Sequence, residues 1–70
     1  MTWTERIGEY RQAIRLKPDY AFAHGNWGFA LEAKGENQAA LVEYQKASEL
    51  DSGNETFRTA YERLSKELKQ

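Results

Sequence analysis

The sequence contains no cysteine, a single proline and a single histidine, and each scarcity excludes a structure or a chemistry. Without cysteine, the chain has neither a disulfide framework nor a thiolate metal site. One histidine without an HExxH motif leaves no familiar metal-ligand spacing. The glycines lack the strand and the Lys-Ser/Thr context of a phosphate-binding loop. We therefore predict no catalytic, cofactor-binding or metal-binding residues, and we expect the protein not to be an enzyme.

Charge and hydropathy argue against two further kinds of partner. The net charge is −1, from 10 basic and 11 acidic residues, which is unlike the strongly basic surface of a nucleic-acid binder. No apolar run approaches the roughly 18 residues of a membrane span, and Met1 is not followed by a signal-peptide pattern. We expect a cytoplasmic protein that binds neither nucleic acid nor membrane.

The 70 residues predict one small all-α domain, residues 1–70, with a core that rarely supplies more than about 3–5 kcal/mol. Ala, Glu, Leu, Lys, Gln and Arg dominate, and apolar residues recur at helical spacing without period-two alternation. Turn residues divide the chain into four helical segments whose connections are short enough to make neighbours antiparallel. The segments run from Trp3 to Leu16, Tyr20 to Lys34, Gln38 to Leu50, and Glu55 to Lys69.

Residues at three turns predict where helices begin and end. Gly35 is suited to a left-handed C-terminal position after the second segment. Asp19 is a candidate N-cap for that segment. Before the fourth segment, Ser52 and Glu55 have capping-box spacing, and Asn54 is a rival N-cap.

A shift of 34 residues aligns the chain with itself. The shift superimposes identical residues on one helical face: Glu9 on Glu43, Tyr10 on Tyr44, Ala13 on Ala47, and Leu16 on Leu50. It also places Ile7 on Leu41 and Trp27 on Tyr61. This clustering predicts an internal helical repeat.

At these positions the chain resembles the tetratricopeptide repeat, a 34-residue helical pair with the pattern W-x₂-L-G-x₂-Y, A-x₃-F and P. The positions of this pattern are occupied by His24, Trp27, Gly28, Leu31, Ala40, Tyr44 and Ser52. His24, Trp27 and Ser52 depart from the family's aromatic residue, leucine and proline, but the size pattern is kept. The resemblance implies four antiparallel helices forming a segment of a right-handed α-solenoid. It divides the chain into a half-repeat at 3–20, a full repeat at 21–54, and a C-terminal capping helix at 55–70.

Small residues predict the closest helix contact. We expect Gly28 on the second helix to meet Ala40 on the third, with Ala47 admitting the next helix. His24 then fills an aromatic position on the packed face. Arg6 and Glu62 replace small residues at the two ends, which favours a short, capped array over a slice of a long one.

The resemblance implies a non-enzymatic module that binds a protein or peptide on a concave face formed by helices 2 and 4. On this face the rings of Phe22 and Phe29 would hold an apolar side chain of the peptide, and Asn26 would pair with its backbone. Arg63 and Lys66 would attract acidic groups. The family's clamp for acidic tails matches poorly, so we do not expect that ligand. The implied partner-binding residues are Phe22, Asn26, Phe29, Ala33, Thr59, Arg63 and Lys66.

Two alternatives remain open at this point. The chain could be a structural self-association element, or an excised or engineered repeat fragment, and its apolar ends predict a homodimer. RNA binding is a third hypothesis, because related helical-hairpin repeats bind RNA, although the charge balance opposes it.

Overall fold

A computed structural model describes residues 2–69 of the chain. Met1 and Gln70, which end the predicted domain 1–70 and the predicted capping helix 55–70, lie outside the described residues. Within 2–69 the chain is all-α, with four helices and no strand. They are α1 (Trp3–Leu16), α2 (Ala21–Lys34), α3 (Asn37–Leu50) and α4 (Glu55–Lys69). The predicted fold class is confirmed, and the predicted bounds agree within one residue.

Local capping defines three of the helix ends. The Thr2 hydroxyl accepts a hydrogen bond from the backbone N–H of Glu5 at 3.2 Å and so starts α1. Asn54 caps α4, because its side-chain oxygen accepts from the backbone N–H of Phe57 at 3.3 Å. Gly35 ends α2 with φ at 95°, the left-handed conformation that glycine adopts at little cost.

The predicted cap of α2 is wrong. Tyr20, not Asp19, is the N-cap residue of α2, and no side chain caps this helix. The turn before α2 is closed by backbone hydrogen bonds instead, with the Tyr20 N–H donating to the Lys17 carbonyl at 3.0 Å. Burial of the α2 apolar face, rather than a cap, therefore defines where the helix begins.

Each helix packs on the next one in chain order, and the connections of two to four residues reverse the chain each time. The core lies among α2, α3 and α4, and its largest fully buried side chains are Tyr44 and Leu64. In contrast, none of the residues of α1 is buried. The core cluster comprises Leu31, Ala40, Tyr44, Ala60 and Leu64, with Ile7, Trp27, Leu41, Tyr61 and Leu68 packed against it.

Two glycines of α2 receive aromatic rings from the other helices. A Cβ at Gly28 would lie 2.6 Å from the ring atoms Cδ1 and Cε1 of Tyr44, and a Cβ at Gly25 would overlap the ring of Phe57. Gly28 thus marks the close α2–α3 contact as expected, but the group that occupies its space is the Tyr44 ring rather than Ala40. The ring needs this space because Tyr44 is completely buried.

Candidate functional site

An open groove of ≈ 460 Å³ lies between α2 and α4 and contains three of the seven predicted partner-binding residues. Phe29 comes from α2, and Thr59 and Arg63 come from α4. These side chains share the groove because α4 packs on α3, while its Phe57 and Arg63 side chains reach across to α2. Glu55, Thr56 and Ala60 complete the lining.

The other four predicted residues do not line the groove. Phe22 is 58% exposed and stacks on Tyr20, with ring centroids 6.0 Å apart. Ala33 and Lys66 are exposed, and Asn26 is half-buried. Phe22 and Phe29 therefore do not share the groove, although they are seven residues apart on the same helix.

Phe29 combines exposure with a fixed position. Its ring is 39% exposed and meets the buried ring of Tyr44 edge to face, with centroids 5.1 Å apart. Edge-to-face pairs stabilise ring orientation beyond simple burial of area. Phe29 thus presents an apolar surface of fixed orientation to the groove.

Arg63 is engaged within the protein. Its guanidinium donates to the Glu32 carboxylate at 2.7 Å and to Glu67 at 3.3 Å, and the Tyr44 hydroxyl donates to the same Glu32 oxygen at 2.7 Å. Two carboxylates compensate one guanidinium, so Arg63 has little remaining attraction for an acidic ligand. The network joins α2, α3 and α4 along one side of the groove.

The network shifts the titration of its members. The hydrogen bond from Arg63 holds the pKa of Glu32 below its ordinary value, an effect that burial opposes and the Tyr44 hydroxyl supports. Burial, together with the hydrogen bond to Glu32, raises the pKa of the Tyr44 hydroxyl. The hydrogen bond to Glu32 likewise raises the pKa of Arg63. Around neutral pH, Glu32 is therefore ionised, the Tyr44 hydroxyl is neutral and Arg63 is positively charged.

The lowered pKa of Glu32 predicts a loss of stability in acid. Its ordinary pKa is 4.5, so its stabilising contribution is fully present above pH 4.5 and is lost as the pH falls through the lower, folded value. We expect the unfolding free energy of Glu32→Gln to decline less steeply below pH 4.5 than that of the wild type. Urea titrations at a series of pH values measure this slope.

Glu62→Gln is the matched control, because it removes the same charge from an exposed position on α4. We expect the unfolding free energy of Glu62→Gln to fall in acid as steeply as that of the wild type. If the unfolding free energy of Glu32→Gln falls just as steeply, the Glu32–Arg63 pair contributes nothing to the loss of stability in acid.

A second polar contact, between His24 and Glu43, is buried between α2 and α3. His24 Nδ1 lies 2.8 Å from the Glu43 carboxylate, and Nε2 donates to the Pro18 carbonyl at 3.0 Å. Both side chains are more than nine-tenths buried. His24 thus occupies a packed position as expected, but it also ties the α1–α2 turn to α3. Nothing in the sequence links two residues 19 positions apart, so the pair was not predicted.

Among residues 2–69 no group of three or more His, Asp or Glu side chains is placed to hold a metal ion. Both ring nitrogens of His24 are already engaged within the protein. The α2–α4 groove is open to a partner.

Comparison of the chain with protein-family models finds no match, and comparison with curated proteins finds none either. None of the helices in residues 2–69 combines the length and the apolar character needed to cross a membrane. The groove and its residues are therefore the basis for assigning a function.

Proposed function

We propose that the protein is a tetratricopeptide-like interaction module that binds a peptide segment of another protein in the α2–α4 groove. The observation that carries this proposal is the half-exposed Phe29 ring, held against Tyr44 at the edge of an open groove. The 34-residue offset between matching helical faces and the sequential helix packing support the repeat assignment. No catalytic step is part of the proposal.

The groove lining defines the chemistry of the peptide. Phe29 and Ala60 offer apolar surface for one apolar side chain, and the hydroxyls of Thr56 and Thr59 are available to hydrogen-bond peptide backbone. Arg63 lines the groove without attracting an acidic ligand, because its charge is compensated by Glu32 and Glu67. The segment that fits is therefore apolar and neutral at its centre, rather than acidic.

The affinity expected for such a groove is micromolar. Only two helices contribute to the lining, and weak transient interfaces bury less than about 1,200 Å² in total. Ordering an extended peptide offsets a large part of the contact energy.

The test begins with selection of binding peptides from a displayed random library, followed by calorimetry with a selected peptide. We expect Thr59→Lys, which places a long charged side chain in the groove from an exposed position, to abolish measurable binding. Phe29→Ala should weaken binding about tenfold or more, because a buried aromatic anchor commonly contributes over 1 kcal/mol.

Phe22→Ala is the matched control, since it removes the same ring from the same helix outside the groove. Circular dichroism verifies that each variant is folded. Equal binding by folded Thr59→Lys and by the wild type would place the peptide elsewhere on the protein.

A further inference from the structure

The ring of His24 lies between two oxygen atoms that accept hydrogen bonds. Nδ1 lies 2.8 Å from a carboxylate oxygen of Glu43, and Nε2 lies 3.0 Å from the carbonyl oxygen of Pro18. Neither a carbonyl nor an ionised carboxylate has a hydrogen to donate, and a neutral histidine carries only one N–H. Both contacts are therefore hydrogen bonds only when the His24–Glu43 pair holds one proton more than a neutral ring and a carboxylate supply.

Loss of that proton leaves the ring with one hydrogen bond in place of two. The remaining N–H stays on Nδ1, because a hydrogen bond to a carboxylate is charge-assisted and stronger than one to a carbonyl. Nε2 then presents a lone pair to the Pro18 carbonyl oxygen, and two acceptors repel each other. His24 is only 5% exposed, so water has little access to the gap, whereas Pro18 is exposed and its carbonyl can turn to solvent. The contact between the ring and Pro18 is therefore the one that breaks.

Pro18 lies in the turn between α1 and α2, and α1 is the most weakly held helix. None of its residues is buried, and its half-buried side chains include Ile7, which packs against the core cluster. Among residues 2–69, no ion pair joins α1 or this turn to the remaining helices. The bond from His24 to Pro18 is the only side-chain hydrogen bond that does so in the same residues.

The other charged groups around the pair are exposed. They are Lys17 and Asp19 beside Pro18 in the chain, and Lys46 and Glu49 on α3. Lys46 Nζ lies 3.9 Å from the second carboxylate oxygen of Glu43, and Glu49 lines the same hollow of ≈ 480 Å³ as His24. Within α2, the nearest charged residue is Glu32, more than two helical turns away. Because exposed charges are screened by water and salt, the contact with Glu43 dominates the electrostatic surroundings of the ring.

We propose that the His24–Glu43 pair is a pH-sensitive contact that holds α1 and the α1–α2 turn on the rest of the protein. With its proton, the pair bonds both the turn and α3. Without it, the turn is released, and α1 opens more readily because it has no buried residue of its own. The α2–α4 groove contains no residue of α1 or of this turn, so its lining does not change.

The test uses nuclear magnetic resonance, because the chain has a single histidine and its Hε1 signal is unique. This signal and the exchange of the backbone amides are followed from about pH 5 to 9, which brackets the titration of histidine. Exchange is corrected for its intrinsic dependence on pH. On the alkaline side of the Hε1 midpoint, we expect the protection of the α1 amides to fall on the order of fivefold, the equivalent of one hydrogen bond.

Glu43→Gln separates the contact from the proton. A glutamine of the same shape can donate an N–H to Nδ1, so a neutral ring can still donate from Nε2 to the Pro18 carbonyl. We therefore expect α1 protection in this variant to be equal on both sides of the midpoint. Glu49→Gln is the matched control, because it removes the same charge from an exposed position of the same hollow. It should keep the wild-type dependence on pH.

Three results overturn the proposal. The first is wild-type α1 protection that does not change across the Hε1 midpoint, and the second is a ring that keeps one protonation state throughout the range. The third is a folded Glu43→Gln variant whose α1 protection depends on pH as in the wild type. If Glu43→Gln does not fold, the wild-type titration alone distinguishes a pH-sensitive contact from a merely structural one.

Discussion

Gly28→Leu should destabilise the domain by about 2 kcal/mol or more, the usual cost of overpacking a close contact. Even the first carbon of the new side chain would lie 2.6 Å from two ring atoms of Tyr44. The ring has no free space to move into, because Tyr44 is completely buried and its hydroxyl is bonded to Glu32. Since a core of this size rarely supplies more than about 3–5 kcal/mol, we expect the variant to be largely unfolded at physiological temperature.

Gly8→Leu is the control for this experiment. Gly8 is also a helical glycine, but a Cβ there would meet nothing within 4 Å. Replacing glycine by a good helix former at an exposed position should stabilise the helix by up to about 1 kcal/mol. Chemical denaturation of both variants compares the effects. A Gly28→Leu variant as stable as the wild type would mean that α2 and α3 are not in close contact at Gly28.

Glu43→Ala should have the second large effect. It removes the hydrogen-bond partner of His24 Nδ1 at a position where the histidine is only 5% exposed. Removing one member of a buried pair of this kind costs about 3–5 kcal/mol in measured cases, because its partner is left buried without a hydrogen bond. Denaturant titration at neutral pH measures the loss. Glu49→Ala, an exposed glutamate on the same helix, should change stability by less than about 0.5 kcal/mol.

A double variant separates the lost partner from the lost volume. His24→Phe with Glu43→Leu replaces both polar side chains by apolar ones of similar size, and such replacements of a buried pair are often neutral or stabilising. We expect the double variant to recover much of the stability lost in Glu43→Ala. If Glu43→Ala alone is as stable as the wild type, the His24–Glu43 contact does not contribute to the fold.

Local features explain why the helices could be predicted. Helical spacing of apolar residues, the left-handed glycine Gly35 and the cap Asn54 all act within a few residues of the chain. The start of α2 was assigned to the wrong cap because Asp19 has the right residue type, while the turn is in fact closed by backbone hydrogen bonds. A side chain competent to cap does not have to do so when tertiary burial already defines the helix.

The candidate site was only partly predictable for a related reason. The resemblance to the tetratricopeptide repeat placed Phe29, Thr59 and Arg63 on helices that line one face, and the groove contains all three. It also grouped Phe22 with Phe29 by their seven-residue spacing, yet the Phe22 ring stacks on Tyr20 outside the groove. The spacing of residues on a helix shows that their side chains lie on the same face. It does not show how far along that face the neighbouring helix extends.

The sequence by itself determined four helices, their bounds within a residue, and the need for a small residue at Gly28. Only the tertiary structure decided that Tyr44 fills the space at Gly28, that Glu43 bonds His24, and that Glu32 compensates Arg63. Helix formation depends on interactions three or four residues apart, which the sequence displays. These pairings join residues 16 to 31 positions apart, and their geometry exists only once α2, α3 and α4 have packed together.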